Sequence, residues 1–383
     1  MPHAKIITKK TIFDIDSCYD LYFFKTSAIM PFSVDDEHFF LRLYNKKDGI
    51  IVKIDKTTKP KITNRIKFKL LEFAEDLASQ IDGYVSSHNL HQTSLDTPKG
   101  YEIKNAALPN ISNLSLLFKN SNPIKVEIGI GSGEFITHQA KHNLDANFIG
   151  FEILSKDFQI AERRIVKERL NNVKLIKYDA KMVIDLFKSN SIDNVYINFP
   201  EPWFKIRRLK HSILTPHTAT SIVRILKIGG EINIVTDNYP FAVVSSIILS
   251  MQKELANKHK FSINLSRNMV NTKYEKKWVK YGRTIYNVDF VKLVKSPDLD
   301  MNRLEFPVVV NSRFIIKNSI IFKVINIYKN REGSEIAEVV AGLSTNPQHI
   351  FFAFKNNRLF KIPQTVFVNN IYLQESFKLA ASQ

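Results

Sequence analysis

At 383 residues the chain is too long for one typical domain, and 44% hydrophobic with 11% aromatic residues is enough to bury a core, which excludes a disordered chain. A formal charge of +18 makes a polyanion the expected partner, nucleic acid first, because Lys and Arg displace counterions from phosphates; a generally basic protein without such a partner is the alternative. The single cysteine, Cys18, excludes an intrachain disulfide, and zinc motifs of the usual Cys/His spacing are absent.

Three parts are expected: an α+β N-terminal region over 1–110, a central domain over 111–298 and a β-rich C-terminal region over 299–383. The N-terminal stretch MPHAKIITKKTIFDID has no apolar run before a small-residue cleavage site, and the longest apolar run, AVVSSIILSM, is of helix-core length. No membrane contact is expected, and the cytoplasm is the expected compartment. FFLRLY and GIIVKI flank NKKD and predict a strand pair with a turn. RIKFKLLEFAEDLASQID is amphipathic at helical spacing. The polar stretch SSHNLHQTSLDTPKGYEIKNAALPN reads as a linker or loop.

From residue 120 the pattern changes. IKVEIGI, FIGFEI, VKLIKY, DNVYINF and EINIVTD are short apolar runs, and each is followed by a helical pattern. These helices are EFITHQAKH, SKDFQIAERRIVKERL, AKMVIDLF, HTATSIVRILK and FAVVSSIILSMQKELANK. Fully apolar strands alternating with helices predict an α/β fold, a doubly wound parallel sheet covered on both faces. FSINLS and IYNVDFVKL close the region as further strands. After residue 299 no long helical pattern remains. FPVVV, IIFKVINIY, AEVVAGL, IFFAF and TVFVNNIYL read as strands of a small antiparallel sheet or barrel.

The first central strand runs into Glu127-Ile128-Gly129-Ile130-Gly131-Ser132-Gly133. Glycines at such a turn let the backbone pass close to a ligand. A GxGxG turn alone does not separate nicotinamide from S-adenosylmethionine sites. Glu127, two residues before the first glycine, favours the methyl donor: a carboxylate there meets an ammonium and repels a pyrophosphate. Glu152 ends the second strand, where a carboxylate accepts ribose hydroxyls. Asp179 ends the third, where it can accept the adenine amine. In an open parallel sheet, ligands bind beyond the carboxyl ends of the strands. Each acid by itself is as readily a helix N-cap or a solvated loop residue; three after three consecutive strands are not.

The fourth strand runs into Pro200-Glu201-Pro202-Trp203-Phe204-Lys205-Ile206-Arg207-Arg208, two prolines fixing an acid beside an aromatic and bases. Trp203 can stack on a base or pack against the prolines. Across roughly residues 124–294 the chain resembles the bacterial tRNA (guanine-N(7)-)-methyltransferases. The resemblance rests on VEIGIGSGEF, NFIGFEI, NVKLIKYDA, INFPEPWFK, GGEINIVTDNYPFA and TKYEKKWVKYGRTIYNVDF. It implies a seven-stranded Rossmann-like methyltransferase sheet, S-adenosylmethionine as methyl donor, and the variable-loop guanine of tRNA as acceptor. Carried over by position, it implies that Glu127, Gly129, Gly131, Gly133, Glu152, Asp179 and Glu201 hold the cofactor. It further implies that Glu201 is the catalytic acid, and that Lys205, Asp237 and Thr272, Lys273, Tyr274 and Glu275 contact tRNA. Two departures stand out. Glu201 replaces the family's usual aspartate, and the basic stretch after the loop is diluted to IRRLKHSILTP.

No metal is expected: His138 and His142 lie four apart but lack the accompanying acid and a third ligand. A monomer is the expectation. The alternatives are a methyltransferase of another RNA base or amino group, a non-catalytic RNA-binding protein that keeps the Rossmann shell, and a nicotinamide-dependent oxidoreductase. The flanking regions mix Lys and Arg with aromatics, as in SRFIIKNSIIFKVINIYKNREG and FKNNRLFKI, and read either as RNA-holding surfaces or as stability elements.

Overall fold

The computed structural model describes residues 1–15, 19–58, 60–91, 102–103, 113–201, 212–265, 281–299 and 304–382. The chain opens with strands β1 (His3–Ile7), β2 (Tyr22–Phe24), β3 (Ser27–Val34), β4 (Glu37–Lys46) and β5 (Gly49–Ile54), helix α1 (Asn64–Gln80) and strand β6 (Tyr84–His88). The central part begins with β7 (Glu102–Ile103), β8 (Ile124–Ile128), α2 (Glu134–His142), β9 (Asn147–Phe151), α3 (Ser155–Lys167) and β10 (Val173–Ile176). It continues through α4 (Ala180–Val183), β11 (Ile192–Asn198), α5 (Pro216–Ile225), β12 (Leu226–Thr236) and α6 (Tyr239–Ser250). Strands β13 (Leu255–Asn257), β14 (Asn264–Leu265) and β15 (Tyr286–Lys292) close it. The last stretch holds β16 (Val308–Val309), β17 (Phe314–Lys317), β18 (Ile320–Lys329), β19 (Glu335–Leu343), β20 (Gln348–Lys355), β21 (Arg358–Phe360) and helix α7 (Ile371–Ala381).

The chain divides into two compact units. The first joins both ends of the sequence, Met1–Asp96 with Asn105–Asn110 and Asn302–Gln383, and the second spans most of the middle. The two terminal parts expected as separate regions therefore share one sheet. Its order among the described residues is β16-β21-β20-β19-β18-β2-β3-β4-β5-β1-β6, with β17 on β18. The join is the pairing of Lys329 in β18 with Phe23 in β2. Behind it lies a cluster of Ile29, Phe40, Tyr328, Ile336 and Phe351. The N-terminal half buries its other face under α1 through residues such as Leu41, Val52, Leu70 and Leu77. The C-terminal half buries Phe322, Val339 and Phe352 with Phe377 of α7.

The central unit carries the order β10-β9-β8-β11-β12-β15-β13, with β7 beside β10 and β14 on β15. The pairs from β10 through β12 are parallel, and β15 runs antiparallel to β12. All five residues of β9 are buried, as a strand covered on both faces requires. The chain steps outward from β8 to β10, then returns to the other side of β8 for β11. The order thus reverses between β8 and β11, which makes their carboxyl ends the switch point.

Three local readings differ from the sequence expectation. The helix expected through FAVVSSIILSMQKELANK ends at Ser250, and Leu255–Asn257 pairs with β15 as a strand. TVFVNNIYL gives no strand; Asn370 caps α7 by accepting from the Leu373 amide at 2.9 Å, so Ile371–Leu373 begin a helix. Within the polar stretch expected as a linker, Ser86–His88 belong to β6 and Glu102–Ile103 pair with β10. The remainder of that stretch from residue 92 on lies outside the described residues.

Candidate active site

Two neighbouring strands build the centre of the site. β8 places Glu127 one residue before its end, and β11 ends at Asn198. Glu127 is 3% exposed, and its Oε1 accepts from Asn198 Nδ2 at 3.1 Å. Its Oε2 is buried with no hydrogen-bond partner. Burial pushes the carboxyl up to about 8, opposed by the Asn198 hydrogen bond and the Ile136 backbone amide, with the nearby Glu152 adding to the rise. A buried carboxylate oxygen left unmet is costly, so it marks the place where a cationic ligand group gains most.

After β8 the backbone turns sharply. Gly129, Gly131 and Gly133 all take positive φ, at 77°, 52° and 74°. A Cβ on Gly129 or Gly131 would meet nothing within 4 Å, so both border open space. Gly133 serves a different purpose: a Cβ there would lie 2.7 Å from Ala161 Cβ, so its absence lets the start of α2 pack on α3. The turn is held from across the sheet, where Glu152 Oε2 accepts from the Gly131 amide at 2.9 Å. Glu152 Oε1 accepts from the amides of Ile153 and Leu154, both at 2.8 Å. Oε2 keeps a second lone pair for a hydroxyl donor, whereas Oε1 already accepts from two amides. Glu152 is therefore both a support of the glycine turn and a residue at its edge.

Asp179 sits at the end of the third central strand as the N-cap of α4. Its Oδ1 accepts from the Lys181 amide at 3.0 Å and its Oδ2 lies 3.8 Å from Lys181 Nζ. Glu127, Glu152 and Asp179 thus lie at the carboxyl ends of three adjacent strands. Their set is complementary to a ligand with an ammonium, a diol and an aromatic amine in series. S-adenosylmethionine is the cofactor that this donor and acceptor set fits.

On the other side of the switch point, the Phe199 amide donates to Val235 O at 2.8 Å, with Phe199 at φ 47°. This bond ties the exit of β11 to β12 two residues before Glu201, which is exposed. Asp237 follows β12 and is mostly buried, its Oδ2 held by Arg283 Nη1 at 2.5 Å. Trp203, Lys205 and the segment Thr272 to Glu275 lie outside the described residues. Sequence reasoning missed Asn198 and Arg283. The only sign of Asn198 is a polar residue ending an apolar strand beside the strand that carries Glu127; Arg283 lies within the TKYEKKWVKYGRTIYNVDF segment of the resemblance, but nothing local marks it as the partner of Asp237. His138 and His142 stack on each other with ring centroids 4.3 Å apart. No group of metal-binding side chains occurs among the described residues.

A reversed-order parallel sheet, an acid-bordered glycine turn at its switch point and an antiparallel β15 define a Rossmann-like, S-adenosylmethionine-dependent methyltransferase. The model of a family described as "Putative methyltransferase" matches residues 121–288. A tRNA (guanine-N(7)-)-methyltransferase of Aquifex aeolicus is 37% identical over 199 residues, covering 49% of this chain and 64% of that protein. One of Buchnera aphidicola is 38% identical over 182 residues, covering 46% of this chain and 75% of that protein. One of Campylobacter fetus is 29% identical over 339 residues, covering 84% of this chain and 82% of that protein, so its likeness reaches into the terminal unit. The chain belongs to the tRNA (guanine-N(7)-)-methyltransferase family.

Proposed function

We propose that the protein transfers a methyl group from S-adenosylmethionine to nitrogen-7 of a guanine in tRNA, the variable-loop guanine, as a cytoplasmic monomer. The observation that carries this reading is the unmet, buried Oε2 of Glu127 beside the open turn at Gly129 and Gly131, one strand from the loop that bears Glu201. When bound, the cofactor supplies an electrophilic methyl on a sulfonium.

Nitrogen-7 of guanine has an in-plane lone pair and no proton to lose. The chain's residues therefore need to align the base and place charge, and no general base is required. Guanine presents two donors on one edge, its ring N–H and its exocyclic amine. A carboxylate at Glu201 accepts both and favours the cation that forms as the ring gains a methyl. Asp237, paired with Arg283, is the second acceptor on that side. Lys205 and the Thr272–Glu275 segment contact the tRNA, Lys205 through guanine O6 or a phosphate. Glu127, Glu152 and Asp179 hold the ammonium, ribose and adenine of the donor.

The test is methyl transfer from labelled S-adenosylmethionine to unmodified tRNA, followed by nucleoside analysis. Label in 7-methylguanosine is the expected result, and label in another nucleoside overturns the choice of acceptor atom. Glu201→Gln with full turnover and normal tRNA affinity removes that residue from its role. Asp237→Asn is expected to raise the KM for tRNA and leave cofactor affinity unchanged.

A further inference from the structure

The reaction above leaves the terminal unit without a task, although it holds nearly half of the chain. One surface of it has a composition and a geometry that point to a partner. From Asn311 to Arg331 the sequence carries no Asp or Glu, and it places five bases there, Arg313, Lys317, Lys323, Lys329 and Arg331. Three of these are engaged within the fold, Arg313 lying 5.4 Å from the Phe354 ring centroid. Lys329 pairs with Glu335 at 2.6 Å, and Arg331 donates to the carbonyls of Phe13 and Ile15.

The remaining bases lie on a hairpin. β17 and β18 are joined by the tight turn Asn318-Ser319, both at positive φ, with Lys317 at the tip. Register places Phe314 opposite Lys323, Lys323 opposite Val340 in β19, and Val340 opposite His349 in β20. Directly paired residues share a face of a sheet, so Phe314, Lys323 and His349 form a row across it, with Ile316 opposite Ile321 in the next row. This row lies on the face opposite the one that α7 covers, since Phe322, Val339 and Phe352 fill the α7 side. Phe314 and Ile316 are each 58% exposed, and Lys323 Nζ sits 5.6 Å from the Phe314 ring centroid. No carboxylate among the described residues pairs with Lys317 or Lys323. Glu338, farther along the same face, is buried and held by Asn326, Tyr328 and Arg42.

An exposed ring beside an unpaired ammonium group on an open antiparallel sheet, with a second ammonium at the hairpin tip, suits a nucleobase stacked beside its own phosphate. An apolar protein partner would leave Lys323 desolvated at the centre of the contact without a counter-charge. We propose that the exposed face and tip of the β17–β18 hairpin form a second tRNA-binding surface, with Phe314 as a stacking platform, Lys323 beside it on the backbone and Lys317 on the backbone at the turn. The proposal takes from the functional reading only that tRNA is the polyanion present.

The test uses the full chain and an unmodified tRNA transcript. Filter binding at several salt concentrations, the KM and kcat for methyl transfer, and cofactor affinity are measured for wild type, Phe314→Ala and Lys317→Glu/Lys323→Glu. Thermal melting checks that each variant is folded. Phe314→Ala is expected to weaken tRNA binding about tenfold. The double lysine variant is expected to weaken it further and to flatten the slope of log affinity against log salt by about 1 to 2. Both variants keep cofactor affinity and kcat at saturating tRNA. Folded variants with wild-type tRNA affinity and salt slope overturn the surface. So does a change in oligomeric state at unchanged tRNA affinity, which would assign the face to a second copy of the chain. Binding is read separately from methylation. A wild-type chain that methylates no guanine, yet loses tRNA with these substitutions, overturns the proposed reaction and supports the surface.

Discussion

Asn198 at the end of β11 donates to Glu127 near the end of β8, 3.1 Å away, across the point where the strand order reverses. The bond fixes one carboxylate oxygen and leaves the other to a ligand. It also sets the strand end from which the Phe199-Pro200-Glu201 segment departs, so cofactor pocket and acceptor loop share one anchor. Asn198→Ala is expected to weaken S-adenosylmethionine binding by about 1.5 to 3 kcal/mol, the range for a hydrogen bond to a charged group. Titration calorimetry measures it. Unchanged affinity would mean that Glu127 needs no positioning by Asn198.

Glu127 also makes a prediction about pH. Its folded-state value is raised to about 8 from an ordinary 4.5, chiefly by burial. Between these values the ligand-free folded state holds a proton that the unfolded chain has released. The stability from this group is full below about pH 4.5 and is lost as pH rises through about 8. An ammonium ligand needs the carboxylate, so cofactor affinity should rise with pH over the same window and level off above it. Calorimetry at pH 7 in two buffers of different ionisation enthalpy is expected to show proton release on binding. Glu127→Gln should abolish that release and weaken binding.

The glycines of the turn separate stability from binding. Gly133→Ala places a methyl group 2.7 Å from Ala161 Cβ in a left-handed conformation. It is expected to cost about 1 to 2 kcal/mol for the backbone and about 1 to 3 kcal/mol for overpacking. Gly131→Ala, with nothing within 4 Å, carries only the backbone cost but puts a methyl group into the pocket. Melting temperature should fall more for Gly133→Ala than for Gly131→Ala. The latter should lose cofactor affinity out of proportion to its stability.

In the terminal unit, Arg42 binds Asp55 at 2.6 Å, Tyr328 Oη at 2.8 Å and Glu338 at 3.5 Å, linking β4 to β18 and β19. Arg42→Met strands two buried carboxylates and is expected to cost about 3 to 5 kcal/mol. Urea unfolding followed by a probe in this unit should show the lower midpoint. A midpoint equal to wild type would mean that the pairing of β2 with β18 and the apolar cluster behind it join the halves without this network.

The sequence by itself determined the central architecture and the position of its acids. Parallel strands buried on both faces must be apolar throughout, as β9 is, so their ends are sharp in the sequence, and the residue types at those ends can be read directly. Glu127, Glu152 and Asp179 were legible for that reason. Short apolar runs without this covering were ambiguous: Leu255–Asn257 became a strand because β15 offered an edge, and Ile371–Leu373 became a helix because Asn370 caps it. Only the tertiary structure decided what depends on residues distant in sequence. The pairing of β2 with β18 made one unit of the two chain ends, although some 300 residues separate them. Arg283 reached Asp237 from 46 residues away, and Glu152 reached the Gly131 amide from 21. Such contacts reflect loop closure and packing between elements, and local periodicity carries no record of them.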